Sequence, residues 1–351
     1  MSGLSSEVRN DSAKSGKPRR YGFNFLWMFS AAEDGSAAPG DIVIDERELD
    51  FAAGMGCNFV RIPLDYRFWI RDFRYGEPDM NMISRVDDCV RAVTSRGMHC
   101  SLNLHRAPGY CINGNERERH NLWLDGVARD AFVSQWEFFA GRYASIPADL
   151  LSFDLLNEPP EIGQYGMTRD SHEAIMRRTV AAIRAKSPQR PVVLDGLGGG
   201  NIAIPELADL GAVLSTRGYQ PMPVTHYRAS WCSETRGLPF PEYPGTRYAG
   251  KTWDRAALLE HYRPWRELSE TGIEVHVGEF GVYNKVDNAL ALRWFSDVLS
   301  VFNELGWGFA LWNFSGDFGI ASHGRPGARW ESMNGFRIDR DMYELFREHM
   351  I

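Results

Sequence analysis

Short unbroken runs of apolar residues recur along this chain, and between them apolar positions fall into steps of three and four. The runs Tyr21–Phe25, Asn58–Ile62, His99–Leu104, Leu151–Leu156, Pro191–Leu194, Ala212–Thr216, Ile273–Val277 and Gly308–Trp312 are too short for helices and read as strands buried on both faces. Helical spacing covers Asp45–Met55, Met82–Arg96, Arg129–Ala144, Asp170–Ala185, Ile204–Asp209, Trp253–Thr271, Asp287–Glu304 and Asp339–Glu348. In the third of these, Phe132, Trp136, Phe139 and Tyr143 line one face. Strand and helix alternate throughout, and no linker or internal repeat divides the chain. That order predicts a single α/β domain over residues 20–351, a (β/α)8 TIM barrel with enlarged loops after its strands.

A doubly wound open sheet is the competing architecture. It calls for a glycine-rich phosphate turn after the first strand, and Gly22-Phe23-Asn24 is not one. The later run Gly196-Leu197-Gly198-Gly199-Gly200 reads as a plain loop. Residues 1–19 have almost no apolar content and read as a disordered tail. From Lys17 to Ala32 the order of basic, apolar and small residues resembles a secretory leader, but Asn24 interrupts the apolar run and a long polar stretch precedes it. Tyr21–Phe25 is therefore read as a core strand, and the expectation is a cytoplasmic protein, or a secreted one if a leader has been removed.

Composition narrows the function classes. The 351 residues carry a formal charge of -7, and Lys17-Pro18-Arg19-Arg20 is the one basic cluster, which argues against nucleic acid as the main partner. No apolar stretch is long enough to span a bilayer. Five cysteines, Cys57, Cys89, Cys100, Cys111 and Cys232, show neither a CxxC pair nor metal-ligand spacing, and the first three sit in apolar segments as small core residues. Eleven Trp and thirteen Tyr exceed what a core alone asks for, and aromatic faces suit the apolar faces of sugar rings.

Two carboxylates then stand out. Leu155-Leu156-Asn157-Glu158-Pro159 and Val277-Gly278-Glu279-Phe280-Gly281 each place a glutamate where an apolar strand meets a loop. In a parallel barrel those ends converge on one mouth, where the chemistry lies. Pro159 holds Glu158 away from helical dihedrals, and Gly278 and Gly281 leave room for a ligand beside Glu279. So apolar a setting requires Glu279 to be paired, and Arg61, at the end of Asn58–Ile62, is the candidate partner. His105 ends the third strand at the same level, and Trp312 ends the eighth, where it offers a floor for a sugar ring.

In this order and spacing, Arg61, His105-Arg106-Ala107-Pro108-Gly109, Asn157-Glu158-Pro159, Gly278-Glu279-Phe280-Gly281 and Leu311-Trp312-Asn313 resemble glycoside hydrolase family 5 over about residues 21–345. Leu122-Trp123 with Phe132, Trp136 and Arg142-Tyr143 resembles its third loop and helix. The resemblance implies a retaining glycosidase for β-linked glucans, mannans or related glycosides that needs no cofactor or metal. Glu158 then matches the general acid/base and Glu279 the nucleophile. Asn157 matches the residue that holds the sugar's 2-position, Arg61 and His105 the supporting residues, and Trp312 the platform under the reacting sugar. The sixth strand departs from the pattern. The family's His-x-Tyr is best matched by Arg217-Gly218-Tyr219-Gln220-Pro221, followed by Thr225-His226 and Trp231. Tyr219 is then the tyrosine at the nucleophile, Arg217 stands in place of the histidine, and His226 and Trp231 border the cleft on a long sixth loop.

The expected reaction is double displacement, with the two carboxyl groups about 5–5.5 Å apart. The substrate expectation is a β-linked glucan, with β-mannan or a β-mannoside as the alternative. The loops Cys111–Leu124, Gln220–Gly250 and Ser315–Phe336 decide between endo and exo action. Two further readings compete: a carbohydrate-binding barrel without turnover, and a metal-dependent hydrolase using His105, Glu158, His226 and Glu279. No HxH or HExxH spacing supports the latter.

Overall fold

The computed structural model describes residues 18–29 and 39–351, so most of the tail expected over residues 1–19 lies outside the described residues. Eight parallel strands close a barrel: β1 (Tyr21–Asn24), β2 (Phe59–Asp65), β3 (His99–Arg106), β4 (Leu151–Asp154), β5 (Val192–Asp195), β6 (Val213–Gly218), β7 (Val275–Phe280) and β8 (Gly308–Leu311). Each strand pairs with its sequence neighbours, and β1 closes the ring by pairing with β8. Every residue in seven of the strands is buried, and Val213 alone in β6 is half-buried, which explains why they read as continuous apolar runs rather than alternating ones.

Helices α1 (Glu46–Met55), α2 (Met80–Thr94), α3 (Gly126–Arg142) and α4 (Arg169–Lys186) follow the first four strands. Their starts are fixed by local chemistry: Asp45 and Asp79 accept main-chain N–H bonds, and Thr168 with Ser171 forms a reciprocal capping box. The segment expected as a helix over Ile204–Asp209 is a 3-10 turn, Pro205–Leu210, because Pro205 starts it and Gly211, at φ 60°, stops it within two turns. Trp253–Thr271 is two helices, α5 (Arg255–His261) and α6 (Arg263–Glu270). Pro264 lacks the N–H to continue the first of them, and its ring would collide with the carbonyl a turn back. The last two, α7 (Asn288–Leu305) and α8 (Arg340–His349), are capped by Asp287 and Asp339.

All eight strands end one to three residues from the expected position, and two of these differences shape the site. β4 leaves regular pairing at Asp154, although Leu155 N–H still reaches Val193 and Asn157 N–H still reaches Leu104. Glu158 thus lies on an irregular exit. β7 runs on through Glu279 to Phe280, so Glu279 belongs to the strand itself. Opposite β6, Thr216 pairs with Val277 but Arg217 pairs with Glu279, which leaves Gly278 as the extra residue of a bulge. A bulge re-aims the side chains beyond it. Here it sets Glu279 level with Arg217.

Candidate active site

Glu279 is buried at the mouth of the barrel, and each of its oxygens is held. Oε1 accepts from Arg61 Nη1 at 2.5 Å and lies 3.4 Å from Arg217 Nη2, while Oε2 accepts from the Tyr219 hydroxyl at 3.1 Å. Arg61 is therefore the partner of Glu279 in this geometry, and Tyr219 is the tyrosine at this carboxylate. Glu158 faces the same guanidinium: Arg217 Nε donates to its Oε1 at 3.0 Å. One planar cation thus touches both glutamates.

Asn157 is oriented by its neighbours. Its Oδ1 accepts from Arg61 Nη2 at 3.0 Å and from Arg217 Nη2 at 2.8 Å, so its amide nitrogen turns the other way, 3.4 Å from His105 Nε2. His105 stacks on Trp312 with ring centroids 5.2 Å apart and sits 4.0 Å from Glu279 Oε1. Burial, then the charges of Arg61 and Arg217, push its pKa well down, so it stands there as a neutral ring. Two of the candidates lie further out. His226 is buried edge-on against Tyr219, 5.0 Å between centroids, and touches neither glutamate among the described contacts. Trp231 is 55% exposed and meets Tyr283 edge-to-face at 4.9 Å.

Glycines here serve the protein more than a ligand. A Cβ on Gly278 would fall 2.6 Å from Ser215 Oγ and 2.8 Å from Arg217 Nη1. The gap expected for a ligand beside Glu279 is thus filled by Arg217. Likewise the run Gly196–Gly200 is no plain loop: Gly198, Gly199 and Gly200 all have positive φ, and a Cβ on Gly200 would meet Arg217 Cγ at 2.5 Å.

With this geometry in view, comparison with known proteins is decisive. The family model "Cellulase (glycosyl hydrolase family 5)" matches residues 36–317. The chain belongs to glycosyl hydrolase family 5. It is 27% identical over 322 residues to Endoglucanase C of Acetivibrio thermocellus, covering 84% of this chain and 91% of that protein. A crystal structure described as a glycoside hydrolase is 54% identical, with a TM-score of 0.92 over 95% of this chain and all of the other. Endoglucanase Cel5A of Thermotoga maritima shares the fold at 21% identity, with a TM-score of 0.72 over 93% and 96% of the two chains. This protein is therefore a glycosidase, and its barrel is that of the family.

In this family 5 hydrolase, sequence reasoning missed several buried groups. Asp154 accepts from Arg61 Nε at 2.6 Å, and Asn24 Oδ1 from Arg61 Nη1 at 3.0 Å. Asp195 accepts from both Arg217 Nη atoms and also from the Glu158 main-chain N–H at 3.0 Å. The Tyr110 hydroxyl donates to the Glu158 carbonyl at 2.7 Å. The available signal was the one that revealed Arg61, a charge ending an apolar run, in Ser152-Phe153-Asp154 and Val193-Leu194-Asp195. Held from both sides, Glu158 adopts φ 46°, a left-handed conformation that costs a non-glycine residue about 1 kcal/mol or more.

The charges explain the protonation. Asp154, Asp195, Glu158 and Glu279 surround only two guanidinium groups, so full ionisation would leave an uncompensated excess of buried negative charge. Burial, then the charge of Glu279, raises Glu158 to about 8 against the opposing pull of Arg217. Burial likewise raises Asp154 to about 7 against Arg61. No set of three or more His, Cys, Asp or Glu is arranged to hold a metal among the described residues.

This makes a stability prediction. Glu158 titrates higher in the fold than the ordinary 4.5, so the folded state holds the extra proton and loses stability as pH rises from about 4.5 to about 8. Glu158→Gln cannot lose a proton. Urea unfolding should show it close to wild type at pH 4 and about 1–3 kcal/mol more stable at pH 8, a range discounted from ~1.4 kcal/mol per unit because the side chain is 15% exposed. Equal stabilities at pH 8 would contradict the raised value.

Proposed function

We propose that Glu158 is the general acid/base and Glu279 the nucleophile of a β-1,4-glucanase that cleaves within oligosaccharide chains. The observation that carries the assignment is the asymmetry of the pair. Glu279 is gripped by Arg61 and Tyr219 as an aligned carboxylate, whereas Glu158 is raised into the range where it holds a proton at neutral pH. Glu279 attacks the anomeric carbon, forming an ester bond as the glycosidic C–O bond breaks. The leaving oxygen takes that bond's electron pair and the Glu158 proton. Water then gives a proton to Glu158 and bonds to the same carbon, returning the ester's electron pair to Glu279, so configuration is retained. Asn157, its carbonyl engaged by two arginines and its amide nitrogen against His105 Nε2, still has an N–H for the sugar's 2-hydroxyl. Because the acid must be protonated, kcat/KM should fall above pH about 8.

The position of the aromatic residues supports a chain rather than a single sugar. Trp312 reaches Glu279 through His105 on the Oε1 side, while Trp231, Tyr283 and Phe318 reach it through Tyr219 on the Oε2 side. An aromatic ring reached through His105 and a separate aromatic cluster reached through Tyr219 suit a substrate of several rings. A glucan is favoured because the relative matched over 84% of this chain is an endoglucanase. Cellopentaose should give mixed products and outrun mannopentaose. Release of single sugars only would point to exo action, and a preference for mannopentaose would overturn the glucan reading. Trp231→Ala should raise KM for cellopentaose about 10-fold, the loss of one stacking contact, with a much smaller effect on a short aryl glycoside.

A further inference from the structure

Resting on the assignment of Glu158 as acid/base and Glu279 as nucleophile, we infer that Arg217 and Asp195 form one positioning unit that aims Glu158 and keeps a single cation against both carboxyl groups through the whole reaction. Asp195 takes both terminal nitrogens of Arg217 and, with the same carboxylate, the Glu158 main-chain N–H at 3.0 Å. Arg217 Nε then holds the Glu158 side chain at 3.0 Å. The acid/base is therefore gripped at backbone and carboxyl by one ion pair, and its φ of 46° is the conformation that meets both grips. Arg217 also lies 3.4 Å from Glu279.

The chemistry gives this geometry a purpose. One negative charge circulates during turnover: it sits on Glu279 before attack, on Glu158 once the ester has formed and the proton has left, and on Glu279 again after water has cleaved the ester. A cation touching both carboxyl groups sees that charge at either end, so neither half-reaction strips it of a partner. The backbone is cut to fit this residue, since side chains at Gly200 and Gly278 would collide with opposite ends of Arg217. Ser215 Oγ accepts from its Nη1 at 3.0 Å, and the Tyr262 hydroxyl donates to its carbonyl at 3.1 Å.

The groups facing this cation are Glu158, Glu279, Asp195 and, further off, Asp154, with Arg61 beside it and Tyr219 and neutral His105 flanking Glu279. Removing its charge leaves Glu158 facing Glu279 with less compensation, so the acid must hold its proton to higher pH.

The test compares wild type with Arg217→His/Asp195→Asn, which replaces the buried ion pair by a neutral one, and with Arg217→Lys, which keeps the charge but loses the fork. Each is assayed on aryl β-cellobiosides with good and poor leaving groups across pH. The double variant should lose about 100-fold in kcat/KM on the poor leaving group, which needs the acid, and clearly less on the good one. Its basic limb should rise by about one pH unit. Arg217→Lys should show the leaving-group effect with the limb unmoved. Equal losses on both leaving groups with an unmoved limb in the double variant would overturn the inference, as would a wild-type profile. Failure of the underlying assignment would show separately, as wild-type enzyme that inverts configuration.

Discussion

Glu279→Ala should lose hydrolysis of cellooligosaccharides by a factor on the order of 10⁴ or more, the scale seen when a covalent nucleophile is removed. The carboxylate has no local substitute. Asp154 and Asp195 are engaged by Arg61 and Arg217, and Glu158 carries the proton that the leaving oxygen needs. The vacated space is lined by Arg61 Nη1, Arg217 Nη2 and the Tyr219 hydroxyl, all donors. A small anion such as azide should therefore enter and restore turnover of an activated aryl glycoside, giving a glycosyl azide of inverted configuration. Glu158→Ala should instead yield, with azide, a product of retained configuration, because there azide replaces water on the ester. Mass spectrometry and NMR of the azide products distinguish the two. Retained azide product from the Glu279 variant would reverse the roles.

Arg61→Ala should be the most damaging substitution for stability. Arg61 is almost wholly buried and bonds Asp154, Glu279, Asn24 and Asn157 from β4, β7, β1 and the exit of β4. Its removal leaves two carboxyl groups buried without that cation, a change that costs about 3–5 kcal/mol. Thermal unfolding should show Tm lowered by about 5–10 °C at pH 7. The loss should shrink as pH falls below about 7 and Asp154 takes up its proton. Arg61→Lys should fall between, since an ammonium cannot reproduce the planar fork. An unchanged Tm in Arg61→Ala would mean that the network is not what holds these strands in register.

Much of this was legible in the sequence because the strands are short and buried on both faces, so each charge within or just past an apolar run had to be explained. Arg61, Glu158 and Glu279 come together as that reasoning expects, and Arg217 and Tyr219 join them as the family resemblance implies. Asp154 and Asp195 carried the same signal but ended their strands without a neighbouring motif, and their partners lie on other strands, so nothing local marked them. The bulge at Gly278 was not legible either, because register is a property of two strands and only pairing with the flanking strands β6 and β8 reveals the extra residue. For the same reason Gly278 and Gly200 read as ligand space and loop until the Arg217 side chain was seen to fill both. The break at Pro264 was readable from the proline itself, but the apolar spacing on either side is in phase and masked it.

The central claim is a covalent double displacement between Glu158 and Glu279, and it is tested most directly by the anomer formed first. Proton NMR of cellopentaose hydrolysis, recorded within the first minutes and before mutarotation, should show the β-anomer appearing ahead of the equilibrium mixture. The α-anomer appearing first would mean that water attacks the sugar directly, and would contradict the account.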